Sequence, residues 1–293
     1  MEAGKGNGPR ALLRGLEDLP GTLHPSVPLA PHTTFHIGGP AWVLFQPHDL
    51  GALTEAVARA ETLGIPWRIL GGGSNVLFSD GGFPGLVIST GRLTTCTRGE
   101  GLLVAEAGFP LAGLVRSGFS FLAGIPGTVG GGVVMNAGTR FGQLGDQVEW
   151  VEVLLPGGRV ARWGRGECGF SYRDSRLHRL GLPVLRAALR PKPGPPPAEV
   201  LAHRRATQPL DQPSAGCVFR NPPQAPAGWL IDRAGLKGAR QGDAMVSPRH
   251  ANFIVNTGRA RASDVLALVD QVRQQVLKRF GVWLELELDV VTT

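Results

Sequence analysis

In the stretch PSAGCVFRNPP, residues 213–223, a thiol at Cys217 stands between small residues and an apolar pair, with Arg220 and Asn221 just beyond. Such a thiol is a buried filler, half of a disulfide, a metal ligand or a reactive group. The other cysteines are Cys96 and Cys168. Three at wide separations fit neither a disulfide framework nor the close pairs of a zinc site, so reduced thiols in a cytoplasmic protein with no metal centre are expected. A second candidate for chemistry is VWLELELDVV, where alternation puts Glu285, Glu287 and Asp289 on one face of an expected strand. Val282, Leu284, Leu286, Leu288 and Val290 fall on the other. Like charges two residues apart repel, so this row is either a solvated edge or holds one member with a chemical role.

Two loops have the composition of an anion cradle. RILGGGSNVLFSD runs from a strand pattern into Gly71, Gly72 and Gly73, then Ser74 and Asn75; AGIPGTVGGGVVMNAG has five glycines between Gly124 and Gly132, then Asn136. Glycine permits positive φ and lets backbone N–H groups converge on an anion, and the hydroxyl and amide add donors. Neither loop reads G-x-G-x-x-G, and no P-loop signature occurs, which disfavours a Rossmann dinucleotide fold and a P-loop NTPase. The formal net charge is +7, with the basic residues scattered along the chain, and a diffuse excess suits small phosphorylated ligands as well as it suits RNA.

The elements that must position these residues are legible from periodicity. DLGALTEAVARAETLG reads as a helix capped by Asp49 and ended by Gly64, followed by buried strands at 67–70 and 85–88. Residues 89–190 alternate in short apolar stretches broken by Gly-Gly and Pro-Gly turns, a largely β region. RPKPGPPPAEV, residues 190–200, holds five prolines and predicts a stiff extended linker at a domain boundary. The segment RASDVLALVDQVRQQVLKRFG predicts a helix capped by Ser263, with Val265, Leu266, Leu268, Val269, Val272, Val276 and Phe280 as its repeating apolar residues, stopping at Gly281. At 293 residues the chain has material for two packed units. Its first 21 residues carry charges and glycines where a signal peptide needs an unbroken apolar run, so neither secretion nor membrane insertion is expected.

LGGGSNVLFSDGGFPGLVI, GIPGTVGGGVVMNAG, SYRDSRLH, PSAGCVFRNPP, AGWLIDRAGLKGARQGDAMVSPRHANFIVN and FGVWLELEL, in this order, resemble the motifs of the UDP-N-acetylenolpyruvoylglucosamine reductase family over about residues 33–290. The resemblance implies an α+β fold: an FAD-binding domain of the p-cresol methylhydroxylase and vanillyl-alcohol oxidase type with two subdomains, about 21–88 and 89–192, then a substrate-binding domain at 193–293. Residues 1–20 would be an N-terminal extension, and the short third region points to the shorter subtype. FAD, held non-covalently, is the implied cofactor. Its expected contacts are Gly71, Gly72, Gly73, Ser74 and Asn75 in the first loop, and Gly124, Ile125, Pro126, Gly127, Thr128, Gly130, Gly131, Asn136 and Ala137 in the second.

The implied reaction reduces UDP-N-acetylglucosamine-enolpyruvate to UDP-N-acetylmuramate with NADPH as co-substrate, in peptidoglycan precursor synthesis. Arg173 matches the family's catalytic arginine. Cys217 occupies the proton-donor position, where many relatives carry serine, and Glu287 matches the glutamate that assists protonation or positions the intermediate. A thiol of reference pKa ~8.5 yields a proton far more readily than an alcohol, and a nearby Glu287 would raise its pKa by like-charge repulsion. Asn221, Arg220 and Tyr172 are the expected substrate contacts. Asn252 and Asn256 are expected to hold backbone, and His250 to satisfy a loop. The partner is a small-molecule UDP-sugar, with no nucleic acid, membrane or obligate protein partner implied. Two rivals remain at this stage: a different flavin oxidase on the same scaffold, and a basic RNA-binding protein. Aromatic residues at 6%, with one tyrosine, give the second few stacking platforms for bases.

Overall fold

Asp49 accepts a hydrogen bond from Ala52 N at 2.8 Å and opens the helix Leu50–Thr62, as its cap position predicts, in the computed structural model that describes residues 8–292. Gly64, at φ +65°, follows the helix end in the left-handed conformation expected of a C-terminal stop. The chain forms two compact units that interleave. One takes in the chain up to Val27, Ala41–Gly72 and Pro84–Leu201; the other takes in Pro28–Pro40, Gly73–Phe83 and the chain from Ala202 onward.

Two larger sheets build the first unit among the described residues. One is four-stranded, in the order Gly21–Pro28, Pro40–Pro47, Phe83–Ser89, Trp67–Leu70, with the last two parallel, so the segment joining them must cross over, and it carries the first glycine-rich loop. Of the extension expected over residues 1–20, residues 1–7 lie outside the described residues. Gly8–Leu16 is a helix that buries Leu12 and Leu16 in the core formed by Phe45, Leu53, Val57 and Leu86. The second sheet is five-stranded and antiparallel, in the order Arg159–Gly164, Val148–Leu155, Val184–Leu189, Leu102–Glu106, Cys96–Gly99. Its inner face packs Leu103, Val151 and Ala187 against Phe119, Val129 and Val133, which supplies the hydrophobic driving force for this half of the unit. Cys168 is fully buried in this core, where desolvation first and Glu167 second push its thiol up to about 11, so it is chemically silent.

In the second unit a four-stranded sheet runs Ser214–Cys217, Phe253–Asn256, Ala244–Val246, Arg240–Gln241. The helix Ala262–Phe280 covers it, burying Val265, Leu268, Val269, Val272 and Val276 as the 3.6-residue period predicts, and ends at Gly281 with φ +67°. No helix among the described residues is long and apolar enough to cross a membrane.

Three local expectations fail for identifiable reasons. The long helix starts two residues earlier than a Ser263 cap requires, because Asp80, remote in sequence, accepts from Ala262 N at 2.7 Å and from Ser263 N at 3.1 Å. The proline-rich segment is not extended throughout: Pro197 begins the helix Pro197–Thr207, where its fixed φ suits the first turn and its missing N–H is no loss. The continuous strand expected over 282–291 is broken into a lone bridge between Leu286 and Phe219 and a regular strand at Asp289–Val291, parallel to Val76–Phe78.

Burial alone would raise the Asp80 carboxyl, but hydrogen bonds from Ser263 and Ala262, with Arg261 beside it, hold it below the usual carboxylate value. Its contribution is therefore present above that value, near ~3.9, and is lost as pH falls through the lower folded-state value. Asp80→Ala should destabilise by about 1 kcal/mol at neutral pH, a fall of roughly 2–4 °C in Tm. Thermal denaturation of both forms across pH checks this: the gap should close in acid, and an unchanged gap there would contradict the assignment.

Candidate active site

Gly71 and Gly72 of the first glycine-rich loop meet the second loop within the first unit. A Cβ on Gly72 would lie 2.7 Å from Gly127 Cα, and one on Gly71 would lie 2.5 Å from Thr128 Oγ1, so the backbones approach only because both residues are glycine. Gly124 and Gly127 take positive φ, +77° and +123°, turning the second loop through Ile125 and Pro126. Gly130 N donates to Ala107 O at 2.9 Å, while Gly131 is exposed with open space where a Cβ would stand. Thr128 Oγ1 is buried and has no hydrogen-bond partner among the described residues. An orphaned hydroxyl beside two glycine faces and open backbone fits a diphosphate, whose oxygens supply the missing acceptors.

The asparagines and Ala137 of these loops are engaged otherwise. Asn136 is fully buried at φ +47°; its Nδ2 donates to Ser171 O at 2.7 Å and to Gln143 Oε1 at 3.2 Å, and its Oδ1 accepts from Gly145 N at 2.8 Å. Ala137 is tied by backbone, donating to Gly132 O and accepting from Leu144 N. Gly73, at φ +61°, lies where a Cβ would strike His32 O at 2.1 Å, and Ser74 and Asn75 follow it in the second unit. Asn75 Nδ2 donates to Glu287 O at 3.1 Å, and Asn75 O accepts from Asp289 N.

Arg173 sits in the first unit on a tight turn closed by the Ser171–Asp174 bridge, with Ser171 N and Asp174 N each donating to the other's carbonyl. Its φ is +53°, its Nη2 donates to Gly138 O at 2.7 Å, and its guanidinium lies 5.4 Å from the ring centroid of half-exposed Tyr172. Asp174 is gripped by His178 Nδ1 at 2.8 Å and by Arg179. Burial would raise its carboxyl, but the bonds from His178 and Arg179 prevail and lower it. The sequence reading missed Asp174 and His178 as an aspartate–histidine pair at i, i+4; that spacing beside Arg173 in SYRDSRLH was the available signal.

Cys217 and Glu287 belong to the second unit and lie on adjoining segments. Glu287 N donates to Val218 O at 2.9 Å, Arg220 N to Glu285 O at 2.9 Å, and Phe219 bridges Leu286. Both Cys217 and Glu287 are half-buried. Gly216, at φ +80°, sits where the register between Ser214–Cys217 and Phe253–Asn256 shifts, a bulge that re-aims the thiol. Asn252 locks the next residues: its carbonyl accepts from Val218 N, and its side chain bonds both N–H and C=O of Phe219 at 2.9 and 2.8 Å. Asn256 likewise holds backbone, donating to Phe35 O and accepting from Gly258 N and Ala260 N.

Arg220 Nε is buried without a hydrogen-bond partner among the described residues, a donor that a ligand's anionic group would satisfy. Asn221 Oδ1 accepts from Ala227 N, securing the start of the helix Ala227–Arg233. His250 Nδ1 accepts from Asn252 N, and its ring meets Phe253 edge-on at 4.9 Å; burial lowers its pKa, which favours the neutral ring that accepting bond requires. It serves the loop that carries Asn252.

Residues 208–291 match the family described as UDP-N-acetylenolpyruvoylglucosamine reductase, C-terminal domain, and residues 41–164 match the family described as FAD binding domain. The UDP-N-acetylenolpyruvoylglucosamine reductases of Moorella thermoacetica and Syntrophobacter fumaroxidans are 45% and 42% identical to the chain. Each match covers 90% of this chain, and 91% and 82% of those proteins respectively. The crystal structure of the UDP-N-acetylenolpyruvylglucosamine reductase from Thermus caldophilus superposes with a TM-score of 0.77 at 41% identity, covering 93% of this chain and all of that one.

Gly72→Ala should weaken FAD binding by about tenfold or more, ~1.4 kcal/mol, because the methyl group displaces backbone at the loop contact. Flavin titration of the apoprotein measures it, and wild-type affinity would contradict this placement of the diphosphate.

Proposed function

The chain belongs to the UDP-N-acetylenolpyruvoylglucosamine reductase family, and on that premise we propose that Arg173, Cys217 and Glu287 carry its chemistry. The activity is the FAD-dependent reduction of UDP-N-acetylglucosamine-enolpyruvate to UDP-N-acetylmuramate with NADPH, a step of peptidoglycan precursor synthesis. Bound FAD supplies a hydride, taken from NADPH, to the terminal carbon of the enol ether. The carbon bearing the carboxylate then holds negative charge, which the protein must stabilise and quench.

Arg173 presents a planar guanidinium to the substrate carboxylate, gripping it through paired hydrogen bonds that strengthen as charge develops. Cys217 Sγ gives its proton to the carbanionic carbon and becomes a thiolate. Glu287, on the adjoining segment, assists by relaying a proton from solvent to that sulfur. Arg220, Asn221 and Tyr172 contact the UDP-sugar, with the buried Arg220 Nε meeting an anionic oxygen. Gly71–Gly72 and Gly124–Gly131 would hold the diphosphate of FAD, with the Thr128 hydroxyl completing its hydrogen bonds. We place the enzyme in the cytoplasm and read the passage from cofactor domain to substrate domain near residue 193, shortly before the second unit resumes at Ala202.

The observation that carries this reading is the backbone pairing of Val218 with Glu287, which sets thiol and carboxylate on neighbouring segments independently of either side chain. Cys217→Ala should reduce product formation by about 10²–10⁴-fold, the usual worth of a general acid, while NADPH still reduces the flavin. Cys217→Ser should retain part of the lost rate. Following flavin reduction and product separately checks both, and undiminished product from the alanine form removes Cys217 as donor.

A further inference from the structure

We propose that Asn136, although it lies in a cofactor loop, is a positioning residue for Arg173. It acts by holding the Ser171 end of the turn on which the guanidinium is mounted, while Asp174 holds the other end. This rests on the assignment of Arg173 as the carboxylate-binding arginine.

Three observations carry it. Asn136 is fully buried with both ends of its amide committed, so its side chain offers nothing to a diphosphate, and its bond to Ser171 O, at 2.7 Å, is the shorter of its two donations. Arg173 has φ +53°, a left-handed conformation that a long side chain adopts only where its surroundings over-determine it. The surroundings here are a clamp. Asn136 fixes Ser171, Arg179 and His178 fix the Asp174 carboxylate, and Ser175 Oγ donates to Val134 O at 2.7 Å, tying the exit of the turn to the short helix Val129–Val134 of the glycine-rich loop. Asn136 follows that helix by two residues, so one short segment sets both the loop that receives the cofactor and the turn that carries Arg173. Arg173 Nη2 then bonds Gly138 O, two residues beyond Asn136, closing the frame. Losing the Asn136 donor frees Ser171 O and lets the turn relax toward ordinary φ, which redirects the guanidinium without removing it.

The test is a double-mutant cycle on the isolated half-reactions of the FAD-loaded enzyme. Asn136→Ala should slow reoxidation of the reduced holoenzyme by the enolpyruvyl UDP-sugar about tenfold or more, chiefly in kcat, while reduction by NADPH changes by less than about threefold. In an Arg173→Ala background the same substitution should add less than about twofold, because a residue that acts through Arg173 has nothing left to act on. Multiplicative losses in the two backgrounds, parallel losses in both half-reactions, or loss of bound flavin would overturn the proposal. If Asn136→Ala fails to fold, Asp174→Asn, of equal size, should show the same selective, non-additive loss. An Arg173→Ala enzyme that reoxidises normally would instead sink the assignment of Arg173 itself, which separates the two failures.

Discussion

The backbone pairing of residues 217–220 with residues 285–288 is the constraint on which the rest depends. Val218 O accepts from Glu287 N at 2.9 Å and Phe219 bridges Leu286, so the thiol and the carboxylate are brought to adjoining positions by main-chain bonds. Buried peptide groups must find partners, and that requirement holds whatever side chain stands at 217. Asn252 extends the same logic: its amide meets both polar groups of Phe219, completing a ladder where no strand is present. A frame of this kind tolerates a cysteine in place of a hydroxyl, because the exchange alters the acidity of the donor and leaves the scaffold alone.

The glycines serve a different purpose on the cofactor side. Gly72 against Gly127, and Gly71 against Thr128, allow two loops to touch through backbone, and the contact leaves the Thr128 hydroxyl without a partner. A buried hydroxyl left without a partner costs stability that a bound anion would restore. The asparagines that a composition argument assigns to the same anion turn out to be structural. Asn75 ties the loop to the Glu287 carbonyl, and Asn136 ties its loop to the turn of Arg173. The glycine-rich loops are thereby hydrogen-bonded to the segments that carry Glu287 and Arg173.

How much of this was legible in the sequence depends on whether the cause is local. The helices Leu50–Thr62 and Ala262–Phe280 follow from apolar period and terminal glycine, both local. The cap of the second comes from Asp80, far away in sequence, and no local rule points to it. The alternation of 282–291 correctly buries Val282, Leu284 and Leu288, but the chain leaves the ladder once Leu286 is claimed by Phe219, and pairing resumes at Asp289 beside Val76. For the site, residue types sufficed to single out Cys217 and the glycine loops. The Arg173 role came from motif resemblance, since one arginine among many carries no periodic signal, and the clamp of Asn136 and Asp174 around it became visible only in three dimensions.

The central claim is that the Cys217 thiol delivers the proton. Cys168 is buried whereas Cys96 and Cys217 are part-exposed, so a small thiol-specific reagent reaches the last two, and peptide mapping separates modification at each. Methyl methanethiosulfonate caps a sulfur with one thiomethyl group that a reductant removes. Mass spectrometry should show that loss of product formation tracks modification of Cys217, that flavin reduction by NADPH survives, and that dithiothreitol restores turnover. Full capping of Cys217 with product formation intact would contradict the account.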